Sequence, residues 1–143
     1  MDERKDPGPL EYLHEFTVPE DAIDANGHVN NVVYVQWMQD LAIKHWYHIG
    51  GADIDHAAGC TWVARSHHIE YLRPAFKGDR IIAKTWIATA GKVRSMRRYN
   101  FRRAGEDKLL AQGETDWVFI DVSSGRPKPI PAYVRDNFPA KES

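Results

Sequence analysis

Residues 31–49 are apolar around most of a helical circumference, and this limits what the chain can fold into. Gln36, Asp40, Lys44 and His48 recur at four-residue spacing and make one polar stripe. Val33, Tyr34, Trp37, Met38, Leu41, Ala42 and Ile49 cover most of the rest. A helix with so little polar surface has to be enclosed by protein. Asp40 and Lys44 have the i,i+4 spacing of a helical ion pair. Gly50-Gly51 supplies the glycine at which helices commonly stop.

Elsewhere the hydrophobic pattern has the two-residue period of strands. Leu10, Tyr12, His14, Phe16 and Val18 share one face, and residues 19–30 read as a loop with Asn26-Gly27 as its turn. After a polar loop over 52–59, strands are predicted over 60–71, 80–90, 95–103 and 108–121, separated by turns at 72–79, 91–92 and 104–107. The last strand carries Ala111, Gly113 and Thr115 in a row on one face, small groups that let a helix approach closely. The expected fold is α+β, with the long helix wrapped by a curved antiparallel sheet of five to six strands. One helix cannot cover both faces of such a sheet, and the remaining surface suggests pairing with another subunit.

The chain has 143 residues, 43% of them hydrophobic, which suits one domain of ordinary size. We assign that domain to residues 10–131, between a flexible arm at 1–9 and a C-terminal tail at 132–143 with little structure. A formal charge of −1 argues against general nucleic-acid binding. The lone Cys60 excludes an intrachain disulfide and fits a reducing cytoplasm. The charged, turn-rich start has no apolar core of a secretory signal, and no apolar run reaches the roughly 20 residues of a membrane span. Neither His45 and His48 nor His67, His68 and Glu70 make a convincing metal set, because neighbouring strand residues face opposite ways. No serine-hydrolase elbow, phosphate-binding loop or dinucleotide fingerprint occurs, and no cofactor is implied.

The chemistry is concentrated in Asp24-Ala25-Asn26-Gly27-His28-Val29-Asn30-Asn31, immediately before the buried helix. A helix start presents unpaired N–H groups and a partial positive charge. A carboxylate and an imidazole beside it make a place where a carbonyl is polarised and attacked. Asp24 has two uses open to it, general base or nucleophile on one hand and cap of its own turn on the other. His28 either orients Asp24 or satisfies a backbone carbonyl, and Asn30 and Asn31 are both good N-cap types. Tyr34, Trp37 and Met38 lie one turn in, as core or as the wall of an acyl pocket.

The segment D-A-N-G-H-V-N-N-V-V-Y-V-Q-W from Asp24 to Trp37 resembles the hotdog-fold acyl-CoA thioesterases, in the branch typified by 4-hydroxybenzoyl-CoA thioesterase. Ile69-Glu70-Tyr71-Leu72-Arg73-Pro74-Ala75 with Gly78-Asp79, and Ala111–Asp121 with Gly125-Arg126-Pro127, resemble later segments of the same family in the same order. The resemblance implies homodimers that often pair into homotetramers, with active sites at the dimer interface. It implies that Asp24 is the catalytic carboxylate and that the Asn31 amide holds the thioester oxygen. Gly27 falls where a glycine lets substrate approach the backbone. His28 and Asn30 match a D-x-x-x-H-V-N-N variant absent from the type enzyme, which leaves open whether Asp24 attacks directly or directs a water.

The implied reaction is hydrolysis of an acyl-CoA to a carboxylic acid and coenzyme A, with His28 as a positioning group and Gly27, Asn30, Tyr34, Trp37 and Met38 around the acyl group. For the phosphates of coenzyme A we expect a docking patch from Arg73, Lys77, Lys92, Arg94, Arg97 and Arg98, since arginine suits bidentate phosphate contacts. Strand alternation forbids all of them from facing one site. Two other readings keep the fold: an enoyl-thioester hydratase or dehydratase, whose local motif is not seen here, and a non-catalytic acyl-CoA-binding module.

Overall fold

The computed structural model describes residues 11–137, so Leu10, the arm at 1–9 and the end of the tail lie outside the described residues. The elements run β1 (Glu11–Thr17), a 3-10 turn (Glu20–Ala22), α1 (Asn31–His48), α2 (Gly51–Ala58), β2 (Cys60–Tyr71), β3 (Arg80–Ala90), β4 (Arg94–Arg103), β5 (Leu109–Asp121) and α3 (Ala132–Asn137). The five strands form one antiparallel sheet in the order β1-β3-β4-β5-β2. This is the hotdog arrangement, a sheet curved around one long helix.

The sheet holds α1 through the predicted row of small residues. Gly113 sits under Met38: a Cβ built on that glycine would lie 2.9 Å from Met38 Sδ and 3.0 Å from the His68 carbonyl oxygen. Tyr34, Met38, Leu41 and Ala42 of α1 pack on Ile81, Ala83, Tyr99, Phe101 and Ala111 of the sheet. A second cluster closes the far end, where Trp46 meets Cys60, Phe119, Ile130 and Val134.

Three local expectations are corrected. The polar stretch after the first helix is not a loop but α2, bounded by Gly50 and Gly59 in the left-handed region at φ 87° and 66°. Its apolar signal is only Ile54 and Ala58, which pack on the second cluster, while Asp55 accepts a 3.0 Å bond from Trp46 Nε1. The beginning of the tail is structured as well, because α3 buries Val134 beside Ile130. On α1, Asp40 takes a 2.9 Å hydrogen bond from Gln36 rather than pairing with Lys44.

Charge is buried at the far end too. Arg97 is only 6% exposed and donates from Nη1 to His45 Nδ1 at 2.8 Å and to Thr85 Oγ1 at 3.2 Å. Tyr12 stacks on His45, with ring centroids 5.3 Å apart. Accepting from a guanidinium at Nδ1 requires a neutral ring. Burial, and then the nearby Arg97 and His48 charges, hold the His45 pKa down at about 3. The unfolded chain takes up this proton below about pH 6.5, whereas the folded chain resists it until about 3. Stability from this group is therefore full above the unfolded pKa and falls as pH drops through that window. We predict that His45→Gln, which retains an acceptor for Arg97, loses less stability than wild type between about pH 7 and pH 4.5 in urea unfolding. Equal losses would show that His45 does not carry the effect.

Candidate active site

The residues ahead of α1 form a small closed loop. Ile23 and Val29 bridge in antiparallel fashion, the Asp24 N–H donates to the His28 carbonyl at 3.0 Å, and the Gly27 N–H donates to the Asp24 carbonyl at 3.0 Å. Gly27 adopts φ 82°, a conformation that costs glycine least and explains its place in the turn. Asp24 Oδ1 accepts from the Asn26 N–H at 2.8 Å. The turn-capping use of this aspartate is thus real, and it occupies one oxygen. Oδ2 has no partner among the described residues.

Two bonds seat this loop. The Val29 N–H donates to the Ala75 carbonyl at 2.8 Å, and the Asn30 N–H donates to the Ala22 carbonyl at 2.9 Å. Asn30 is then the N-cap, with its side chain accepting from the Val32 N–H at 3.0 Å. The Val33 N–H is taken by the Asn30 carbonyl at 3.0 Å. The Asn31 N–H, at the first position of α1, has no acceptor among the described residues, and Asn31 is exposed. His28, half-buried, turns Nδ1 toward the Val29 carbonyl at 3.4 Å, a long contact that leaves Nε2 uncommitted.

One further residue reaches this place. The Tyr71 hydroxyl, at the end of β2, donates to the Asn31 carbonyl at 2.8 Å. The sequence carried a usable signal for it: alternation along β2 puts Tyr71 on the helix side with Ile69 and His67. His67 on that face bonds Thr115 Oγ1 at 2.8 Å, which ties it to the sheet.

The acyl-pocket residues separate. Met38 is fully buried and its sulfur is pressed on Gly113, so it offers no free surface to a substrate. Tyr34 is buried between the edges of Trp37, Tyr71 and Phe101. Its hydroxyl has no partner among the described residues, and burial pushes its pKa up to about 12. Only Trp37 of the three keeps partial exposure beside the helix start.

The basic patch also separates. Arg73 and Lys77 lie on the connection after β2, which is tied to the segments flanking the loop by the Val29–Ala75 bond and by Gly78 N–H to the Val18 carbonyl at 3.0 Å. Lys77 approaches Glu20 at 3.6 Å, with both side chains largely exposed. Lys92 and Arg94 stand at the other end of the sheet, and Arg94 is paired with Asp116. Arg98 faces the outer side of the sheet near Glu114 at 3.7 Å. Arg97 is buried, and the expectation that it meets a phosphate at the surface is corrected: odd positions of β4 face the helix, with Tyr99 and Phe101.

Residues 17–138 match the thioesterase-like superfamily, and the chain belongs to that family. It is 30% identical over 111 residues to an L-carnitine dehydrogenase/betainyl-CoA thioesterase of Ruegeria pomeroyi, a match that covers 77% of this chain and 22% of that protein. The chain thus spans about a fifth of that relative's length. Among solved structures, a 1,4-dihydroxy-2-naphthoyl-CoA thioesterase from Synechocystis superposes with TM-score 0.79 at 20% identity, covering 90% of this chain and 95% of that one. The PA5185 protein of Pseudomonas aeruginosa superposes with TM-score 0.83 at 24% identity, covering 94% of each chain. These likenesses establish the hotdog fold.

The cap geometry carries a stability prediction. Asn30→Ala removes the acceptor of the Val32 N–H and should cost about 1 kcal/mol in chemical denaturation. Asn30→Asp should retain most of that stability. An alanine variant as stable as wild type would show that the cap does not hold the start of α1.

Proposed function

We propose that the protein is an acyl-CoA thioesterase, hydrolysing a thioester to a carboxylic acid and free coenzyme A. The reading is carried by two unmet groups on one tied segment, the Asn31 N–H at the first turn of α1 and Oδ2 of Asp24. A thioester oxygen seated on the Asn31 N–H lies at the positive end of the α1 dipole, which favours the negative charge that develops there. Asp24 then has two routes. It takes a proton from a water that attacks the carbonyl carbon, or it attacks that carbon itself and forms a mixed anhydride that water opens. In either route the carbon–sulfur bond breaks and coenzyme A leaves as a thiolate, a weak enough base to depart without a dedicated strong acid. His28 positions the water or Asp24 through its uncommitted Nε2.

Gly27 and Asn30 shape the floor of this site, and Trp37 is the aromatic wall for the acyl group. Arg73 and Lys77 are the cations placed to meet the phosphates of coenzyme A. The betainyl-CoA activity in the name of the Ruegeria pomeroyi relative supports a coenzyme A thioester as the substrate class. The cytoplasm is the proposed compartment, in keeping with the lone buried thiol of Cys60.

In Asp24→Asn the amide oxygen still caps Asn26, so the loop should survive while the base is lost. Thiol release from a panel of acyl-CoAs, betainyl-CoA and aromatic acyl-CoAs included, should fall by about a hundredfold or more. Undiminished release would remove Asp24 from the mechanism.

The same reading includes a homodimer. Strand β2 forms one margin of the sheet over its 12 residues and pairs only with β5 among the described residues. Asp24 and Asn31 sit at the surface of the single chain, where a second copy on that margin would wall them in. Sedimentation should give twice the chain mass of 16.4 kDa, or a larger even multiple. A single-chain mass at micromolar concentration would overturn the dimer.

A further inference from the structure

A cavity of about 180 Å³ lies under the C-terminal half of α1, at the opposite end of that helix from Asn31. Ala42 and Trp46, on its wall, stand about 16 and 22 Å beyond Asn31 along the helix axis. Between the two places α1 is packed solid by Met38 and Leu41 on the sheet, so within one chain they are separate.

The walls are aromatic and aliphatic: Trp46, Trp62 and Trp117, with Ile87, Ile130 and Val134. Arg97 lines the same cavity. Its two bonds, to His45 and Thr85, are both donated to neutral acceptors, and no carboxylate pairs with it among the described residues. Asp116, next to the cross-strand partner of Arg97, is committed to Arg94 on the outer side of the sheet. Asp55, also on the cavity wall, accepts from Trp46 at Oδ2, makes no ion pair with Arg97, and keeps a buried Oδ1 with no partner among the described residues. A buried guanidinium without an anion is costly, because neutral acceptors replace only part of its lost hydration. The Arg97 charge is therefore left without its complement, and its environment opens into an apolar space. On the same wall Trp62 Nε1 is a buried donor with no partner among the described residues.

We propose that this cavity is a binding site for a small monocarboxylate with an aromatic or branched apolar body. The carboxylate pairs with Arg97, in the forked geometry that guanidinium and carboxylate share, and the body lies among the tryptophans. The volume falls below the roughly 300–1,000 Å³ of sites for larger ligands, which restricts the occupant to about one ring. The site does not depend on the thioesterase reading, since no residue proposed for that reaction lines it.

The test uses 3-phenylpropionate as probe and its neutral amide as control, read by tryptophan fluorescence and by thermal unfolding of the full chain. The acid should bind saturably and raise the melting temperature, as any ligand of the folded state does. The amide should bind at least about tenfold more weakly, having no charge for the guanidinium. Arg97→Met should lose the preference for the acid. Ala90→Trp, which fills the cavity from an exposed position on its rim and leaves Arg97 in place, should abolish binding and keeps the test decisive if the arginine variant fails to fold. Asp24→Asn should bind the acid as wild type does. No saturation by about 10 mM, equal affinity for acid and amide, or undiminished binding in Ala90→Trp would each overturn the proposal. So would loss of binding in Asp24→Asn, which would place the probe at the thioester site. Failure of wild type to hydrolyse acyl-CoAs would refute only the thioesterase reading, because neither readout here involves turnover.

Discussion

The packing of α1 on the inner face of the sheet, with Met38 seated on Gly113, is the contact on which the rest of the molecule depends. Gly113 leaves space for one sulfur atom, Met38 fills it, and the helix comes down on the sheet at that point. Everything on α1 is then fixed in height above the strands. The first turn stands where Tyr71 can reach its carbonyl, and the last turns stand where Trp46 can join Phe119 and Ile130. A bulkier residue at position 113 would crowd the Met38 side chain and the backbone oxygen of His68.

The two ends of that rod have opposite electrostatic character. At its start, backbone dipoles converge and one N–H is left open, with a half-used carboxylate on the adjoining loop. At its end, a full cation is held by an imidazole that stays uncharged. Both are departures from a fully satisfied interior, and such departures occur where a fold has a task besides stability. The outer side of the sheet differs in kind: its charges pair at the surface, Arg98 with Glu114 and Lys84 with Glu11, where ion pairs contribute little.

Much of this architecture was legible from residue pattern. The helix over 31–48 announced itself by its nearly continuous apolar surface, and the long strands by their alternation. The small residues on β5 correctly marked where the helix would land. That one of Asn30 and Asn31 caps the helix, and that Gly27 sits in its turn, followed from residue type; the structure selects Asn30. What was missed depended on tertiary context. Helix α2 has only two apolar residues facing inward and is fixed by its flanking glycines and its packing on Trp46. The division of the basic residues between the two ends and two faces of the sheet follows from strand register, which spacing in the chain does not report. Arg97 shows this best: Arg94 and Arg98 on the same strand face the outer side, and one step of alternation puts Arg97 in the core.

The Tyr71 hydroxyl has a wider meaning because of the strand that bears it. It belongs to the margin of the sheet yet holds the peptide unit of Asn31, so the outermost strand and the amide expected to bind the substrate oxygen are mechanically one body. Any neighbour that straightens or tilts that margin moves the amide with it. Self-association and turnover would then rise and fall together on dilution, with a single phenol as the coupling rod.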